Sequence, residues 1–177
     1  MCRKSLNQKS RSPGFTLIHI IVTIVLLAII AAVVVINVTA TGDVKAKAAA
    51  RVVLSDLQYA QSEANRRQEA ITVTFYPDEE RYTLSDSTGQ VLINPKTNGN
   101  YEVSLPQDIG DSELDLLTVD FGSGTEAVTF TSVGEPVQGG STQPISSNST
   151  IVVRHGDYTY TVKIIPVTGK ISVVSGT

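Results

Sequence analysis

One cysteine, Cys2, and two histidines, His19 and His155, are all the chain of 177 residues contains of those types. A single cysteine excludes an intramolecular disulfide, so the fold must be held by packing alone, which is feasible at this length. Two histidines so far apart, one inside an apolar run and one in an expected turn, supply no histidine pair for a metal. There is no G-x-S-x-G nucleophile elbow among the many serines. Gly122-Ser123-Gly124 has no helix after it to receive a phosphate and reads as a turn. Basic residues are scarce beyond the N-terminus. Arg3, Lys4, Lys9 and Arg11 lie in the first 14 residues, and after them ten basic residues face seventeen acidic ones, a balance of −7. An acidic surface of that kind disfavours nonspecific nucleic-acid binding, which relies on Lys and Arg neutralising phosphates. No catalytic constellation, cofactor motif or metal site is expected, and the chain does not read as an enzyme.

What is present is concentrated near the N-terminus. Residues 15–36 contain no Lys, Arg, Asp or Glu over 22 positions. A helix of that length reaches roughly 30 Å, the thickness of a bilayer core. Secretory signals have shorter apolar stretches followed by small residues at the cleavage site; here the punctuation, Ser12-Pro13-Gly14, comes first. The basic flank precedes the span, so the remainder is expected outside the cytoplasm. From 44 to 67 the residues are good helix formers, with Val53, Leu57, Ala60 and Ala64 on one face. The weak stretch 37–43, with Gly42, reads as a kink or local unwinding between two helical halves.

From residue 71 the pattern changes to period two. Candidate strands are 71–76, 81–85, 90–93, 101–105, 116–121, 127–133, 150–154, 157–167 and 170–174, with 136–148 a long loop. Helix first and strands afterwards predicts an α+β fold, in which a long N-terminal helix with a transmembrane half and an amphipathic half packs on an antiparallel β-sheet head. The expected divisions are a leader at 1–14, a transmembrane helix at 15–37, its amphipathic continuation at 38–70 and a β-rich head at 71–177. Asp108, Asp111, Glu113 and Asp115 form an acidic cluster whose oxygens suit calcium. It lacks EF-hand spacing, and a solvated acidic loop is the preferred reading. His155 is expected to be an exposed turn residue.

Gly14-Phe15-Thr16-Leu17-Ile18, behind a short basic leader and ahead of an apolar helix, resembles the type IV pilin family, which includes the pseudopilins of type II secretion. The resemblance implies cleavage after Gly14 by a prepilin peptidase and methylation of the new N-terminal Phe15. It also implies assembly through Thr16, Leu17, Ile18 and His19, with other pilin or pseudopilin subunits and an inner-membrane assembly platform as partners. The implied location is the cytoplasmic membrane, single-pass with an extracytoplasmic head, and then a filament. The family has glutamate where this chain has His19. A neutral imidazole can accept a hydrogen bond from a neighbour's N-terminal ammonium but cannot cancel its charge. That substitution points to a tip or near-tip subunit, with a tolerated replacement as the alternative. The head resembles the GspH/FimT branch of minor pseudopilins, on the helix end near Ala64-Asn65-Arg66, the turn between Phe130 and Gly134, and the closing turn Thr168-Gly169-Lys170. Some members of that branch bind DNA, which here would implicate Arg154, Lys163 and Lys170. Their sparseness makes adhesion or DNA uptake the secondary expectation.

Overall fold

The computed structural model describes residues 17–38 and 41–176. They fall into two units, Met1–Ala40 and Thr41–Thr177. The leader 1–14, with Gly14, Phe15 and Thr16, lies outside the described residues. In the first unit, α1 spans Leu17–Val38, and its side chains are described from Leu17 to Ile29. Among the described residues no helix is long and apolar enough to cross a membrane.

The second unit begins with α2, Thr41–Arg67. Gly42 and Asp43, expected in a kink, are helical and form its first turn; the preceding two residues are outside the described set. The predicted stripe of Val53, Leu57, Ala60 and Ala64 is fully buried, extended towards the N-terminus by Ala46, Ala49 and Ala50. Five alanines on one face let the helix axis approach the strands closely, and Val53 and Leu57 fill the space between.

The head contains two antiparallel sheets rather than one. Strands β1 (Ile71–Tyr76), β2 (Arg81–Ser85), β3 (Glu102–Ser104), β5 (Ala127–Phe130) and β6 (Pro136–Gln138) form the first, in the order β3-β2-β1-β5-β6. Strands β4 (Leu114–Asp120), β7 (Thr150–His155), β8 (Tyr158–Ile164) and β9 (Ile171–Ser175) form the second, in the order β4-β7-β8-β9. Helix α2 contacts strands of both. The alternating residues Ile71, Val73 and Phe75 of β1 and Ile151 and Val153 of β7 enter one hydrophobic cluster with the α2 stripe. Phe75 packs on Tyr82 and Phe121 with ring centroids 5.2 and 5.8 Å apart. In β4 a bulge between Leu116 and Thr118 resets the alternation, so that Leu116 and Val119 both point inward while Leu117 is exposed.

Several expected strands differ in detail. Residues 90–93 make only isolated bridges, Ser85 with Val91 and Ile93 with Asn100, because Pro95 and the turn closed by Asn94 N–H on the Gly99 carbonyl at 2.8 Å end the run. The expected strand 101–105 stops at Ser104, where α3 (Leu105–Ile109) begins with proline in its first turn and ends on left-handed Gly110. The expected loop 136–148 starts with β6, an edge strand that tolerates proline because no ladder donor is needed on its outer side.

Candidate assembly surfaces and head contacts

Along α1 the large apolar side chains Leu17, Ile18, Ile20, Ile21, Val22, Ile24, Val25, Leu26, Leu27 and Ile29 are 51% to 74% exposed. Beyond the first turn, whose four N–H groups have no intrahelical acceptor, the helix satisfies its own backbone donors, as any lipid-facing or bundle-facing segment requires. Thr23 Oγ1 donates back to the carbonyls of His19 and Ile20, both at 2.9 Å, which hides the hydroxyl from apolar surroundings. Leu17, Ile18 and His19 sit on the first turn of this helix. Small residues let apolar helices approach closely; of those along this segment, Thr23 and Ala28 are exposed, whereas the side chains of Ala31 and Ala32 are outside the described set.

In the head, α2 is fastened to the rest of the fold by several polar contacts, among them Asp43 Oδ1, which accepts from Tyr160 Oη of β8 at 2.6 Å. Asp56, buried at 4% exposure, accepts hydrogen bonds from Tyr82 Oη at 2.6 Å and Tyr101 Oη at 3.0 Å. Burial pushes its carboxyl above the ordinary range, and the two phenols pull the other way. Burial, then the Asp56 charge, holds both phenols well above their usual range, so both remain donors. Gln61 Nε2 donates to the carbonyls of Gly134 at 2.9 Å and Gly169 at 3.4 Å. Gly134 follows β5 and Gly169 precedes β9, so one α2 side chain ties the two sheets together at one end. A Cβ on Gly169 would lie 2.3 Å from that same Nε2, and its φ is +61°. Glu63, nearly buried, binds Arg66 and Arg67 at 2.7 and 2.6 Å. The Arg66 hydrogen bond holds its carboxyl down to about 2, against the opposing effect of burial.

A further fastening lies near the start of α2, and it corrects the expectation for His155. That residue is the last of β7 and 9% exposed. The turn itself is Gly156-Asp157, since His155 pairs with Tyr158. The alternation Ile151, Val153, His155 carried the signal for an inward ring. Its Nε2 lies 2.8 Å from Asp111 Oδ2, and Lys45 Nζ from α2 lies 2.5 Å from the same oxygen. The Lys45 hydrogen bond, foremost among several, holds the Asp111 carboxyl far below its usual range. Glu113 Oε2 approaches His155 Nε2 at 3.8 Å. The four acidic residues expected as a cluster therefore divide. Asp111 and Glu113 face His155, Asp115 binds Arg154 at 2.5 Å, and Asp108 accepts the Ser104 N–H at 3.0 Å.

The three cations singled out for ligand contact do not converge. Arg154 is engaged by Asp115. Lys163 is exposed on β8 between Thr150 and Ser172. Arg154 faces Thr159, four residues along β8 from Lys163, which is about 13 Å of strand. Lys170 is exposed in the β8–β9 turn, where its N–H reaches Thr168 Oγ1 at 3.4 Å.

An N-terminal apolar helix precedes a second helix laid against two antiparallel sheets, an α+β arrangement. The family model of the Type II transport protein GspH matches residues 49–168, and the chain belongs to that family. Among solved structures, the chain is similar to the minor pseudopilin EpsH from the type 2 secretion system of Vibrio cholerae. There the TM-score is 0.50 and the identity 16%, over 74% of this chain and 97% of that one. It is also similar to the type IV minor pilin FimU of Pseudomonas aeruginosa, with a TM-score of 0.47 and 17% identity over 74% of this chain and 97% of that one. No curated protein matches the chain in sequence.

Proposed function

We propose that this chain, a pilin-like subunit of a type II secretion pseudopilus or a type IV pilus, is a minor subunit placed at or near the filament tip. Membership of the GspH family carries the subunit role. In this reading a prepilin peptidase cuts between Gly14 and Phe15 and the new terminus is methylated. The apolar helix then holds the protein in the cytoplasmic membrane, with the head outside, until an inner-membrane platform extracts it. The role is structural and requires no catalysis by this chain.

Exposure of the apolar side chains from Leu17 to Ile29 supports this account. Such a surface is stable only in lipid or against other apolar helices, and small positions such as Thr23 and Ala28 allow close helix approach. His19 supports the tip position. A shaft subunit must compensate the buried N-terminal ammonium of its neighbour, which costs several kcal/mol if left unpaired, whereas a terminal subunit has a neighbour on one side only. A photo-crosslinker at Ile24 is expected to capture other pilin-like subunits in assembling cells, and capture of lipid alone would contradict assembly. His19→Glu is expected to move the protein from the tip into the shaft. An unchanged position would remove the basis for the tip assignment.

A further inference from the structure

We propose that Asp111, Glu113 and His155 form a binding site for a divalent first-row transition cation, with Zn2+ as the representative, which takes the place now held by the Lys45 ammonium. One ligand atom from each of the three residues lies within 4.8 Å of the others. One imidazole nitrogen with two carboxylate oxygens is a donor set suited to zinc and its neighbours, with water completing four-coordination.

Two of the three ligands are held in place before any metal arrives. Asp111 Oδ1 accepts the Glu113 N–H at 2.9 Å, which leaves Oδ2 directed at His155. Asp111 itself is anchored by its N–H on the Pro106 carbonyl at 2.9 Å. The His155 ring is fixed from behind by α2, because a Cβ on Gly42 would sit 3.0 Å from Nδ1. Strand pairing of Leu114 with His155 brings the loop and the ring together. Outer contacts of this kind orient metal ligands and are part of their affinity. Glu113, with a side chain 75% exposed, has the furthest to move and starts 3.8 Å from Nε2, while the 2.8 Å pair of Asp111 Oδ2 and His155 Nε2 opens slightly to admit the ion.

Charge points the same way. With Lys45 in place, and the imidazole set aside, two carboxylates face one ammonium, an excess of one carboxylate. Among the described residues His155 is the only basic group within ion-pair range of Glu113. A divalent ion would bring the group to neutrality. The site already holds a cationic group at 2.5 Å from Asp111 Oδ2, and the Lys45 side chain, 37% exposed, has solvent to move into. Nearby Asp115 is committed to Arg154. Binding is therefore a competition between a metal ion and Lys45, near the start of α2, and it carries no dependence on the filament role.

The test is calorimetric titration of the full chain in detergent micelles with Zn2+ alone, at neutral pH. One equivalent is expected to bind, and Lys45→Met is expected to bind about tenfold or more tightly because the internal competitor is gone. Glu113→Gln, at an exposed position that leaves the fold undisturbed, and His155→Asn are each expected to weaken binding about 10- to 100-fold. Co2+ in the Lys45→Met protein should show the visible absorption of a low-coordinate site containing nitrogen. Absence of saturable binding in both the parent and Lys45→Met proteins would overturn the proposal. So would Glu113→Gln and His155→Asn proteins that bind like the parent, which would mean an adventitious ion only.

Discussion

Asp56 is a carboxylate placed in the α2–sheet interface, and replacing it should separate two effects that burial combines. Asp56→Ala deletes the acceptor of both Tyr82 and Tyr101, whose side chains are 1% and 3% exposed. Each orphaned hydroxyl costs about 1–3 kcal/mol, so the pair predicts a loss of roughly 2–5 kcal/mol once partial rescue by water is allowed. For a chain of this size that corresponds to a fall in Tm of about 4–20 °C. Asp56→Asn keeps an acceptor and a neutral polar group in the same volume, and should remain close to the parent at neutral pH. Desolvation raises the Asp56 carboxyl in the folded protein above its ordinary 3.8. Its favourable contribution is therefore complete below 3.8 and is lost as pH rises through the higher folded value. The stability of the parent relative to Asp56→Asn should accordingly decline as pH rises from acid towards neutrality. Thermal unfolding of the full chain in micelles, followed by far-ultraviolet circular dichroism across that range, provides the assay. A loss under about 0.5 kcal/mol for Asp56→Ala would refute the reasoning, because the two phenols would then have no need of the carboxylate.

Gly169→Ala introduces a methyl 2.3 Å from Gln61 Nε2 at a φ of +61°, and should cost about 1–3 kcal/mol, with the loss read from the unfolding midpoint. Gln61→Ala in that background should recover part of it, since the clash partner is gone. Leu57→Ala opens a cavity beneath both sheets and should cost about 2–5 kcal/mol in denaturant unfolding, without loss of the folded state's far-ultraviolet signal before the transition. Glu63 has a folded value of about 2 set chiefly by Arg66. Its stabilisation is present above 4.5 and is lost as pH falls through about 2, so Glu63→Gln should flatten the acid limb of the stability profile. Because Arg66 is largely exposed, the effect should be only about 1 kcal/mol.

The α2 stripe and most strands were legible because they follow simple periods. Val53, Leu57, Ala60 and Ala64 are buried as their spacing implied, and β1, β2, β7, β8 and β9 lie close to their alternating runs. Division of the strands into two sheets was not legible, because period two specifies a face and leaves the pairing partner open. The bulge in β4 broke the alternation from which its inward face would have been read. Helix α3 carried a readable signal, proline early and glycine after the end, but five residues are too few for a periodic pattern. His155 was mistaken for a turn residue because Gly156-Asp157 alone closes the hairpin. His155 meets Asp111, 44 positions away in the chain, and Asp111 meets Lys45, 66 positions away, a proximity created by the pairing of β4 with β7 and by the packing of α2 on the second sheet. The reading of Gly14 and Phe15 rests on local sequence alone, since both lie outside the described residues.

Mass spectrometry of the mature N-terminus, in cells with and without the prepilin peptidase, tests the filament account most directly. The account predicts a chain that starts at methylated Phe15 when the peptidase is present and at Met1 when it is absent. An intact Met1 in both strains, or a cut beyond residue 36, would contradict it.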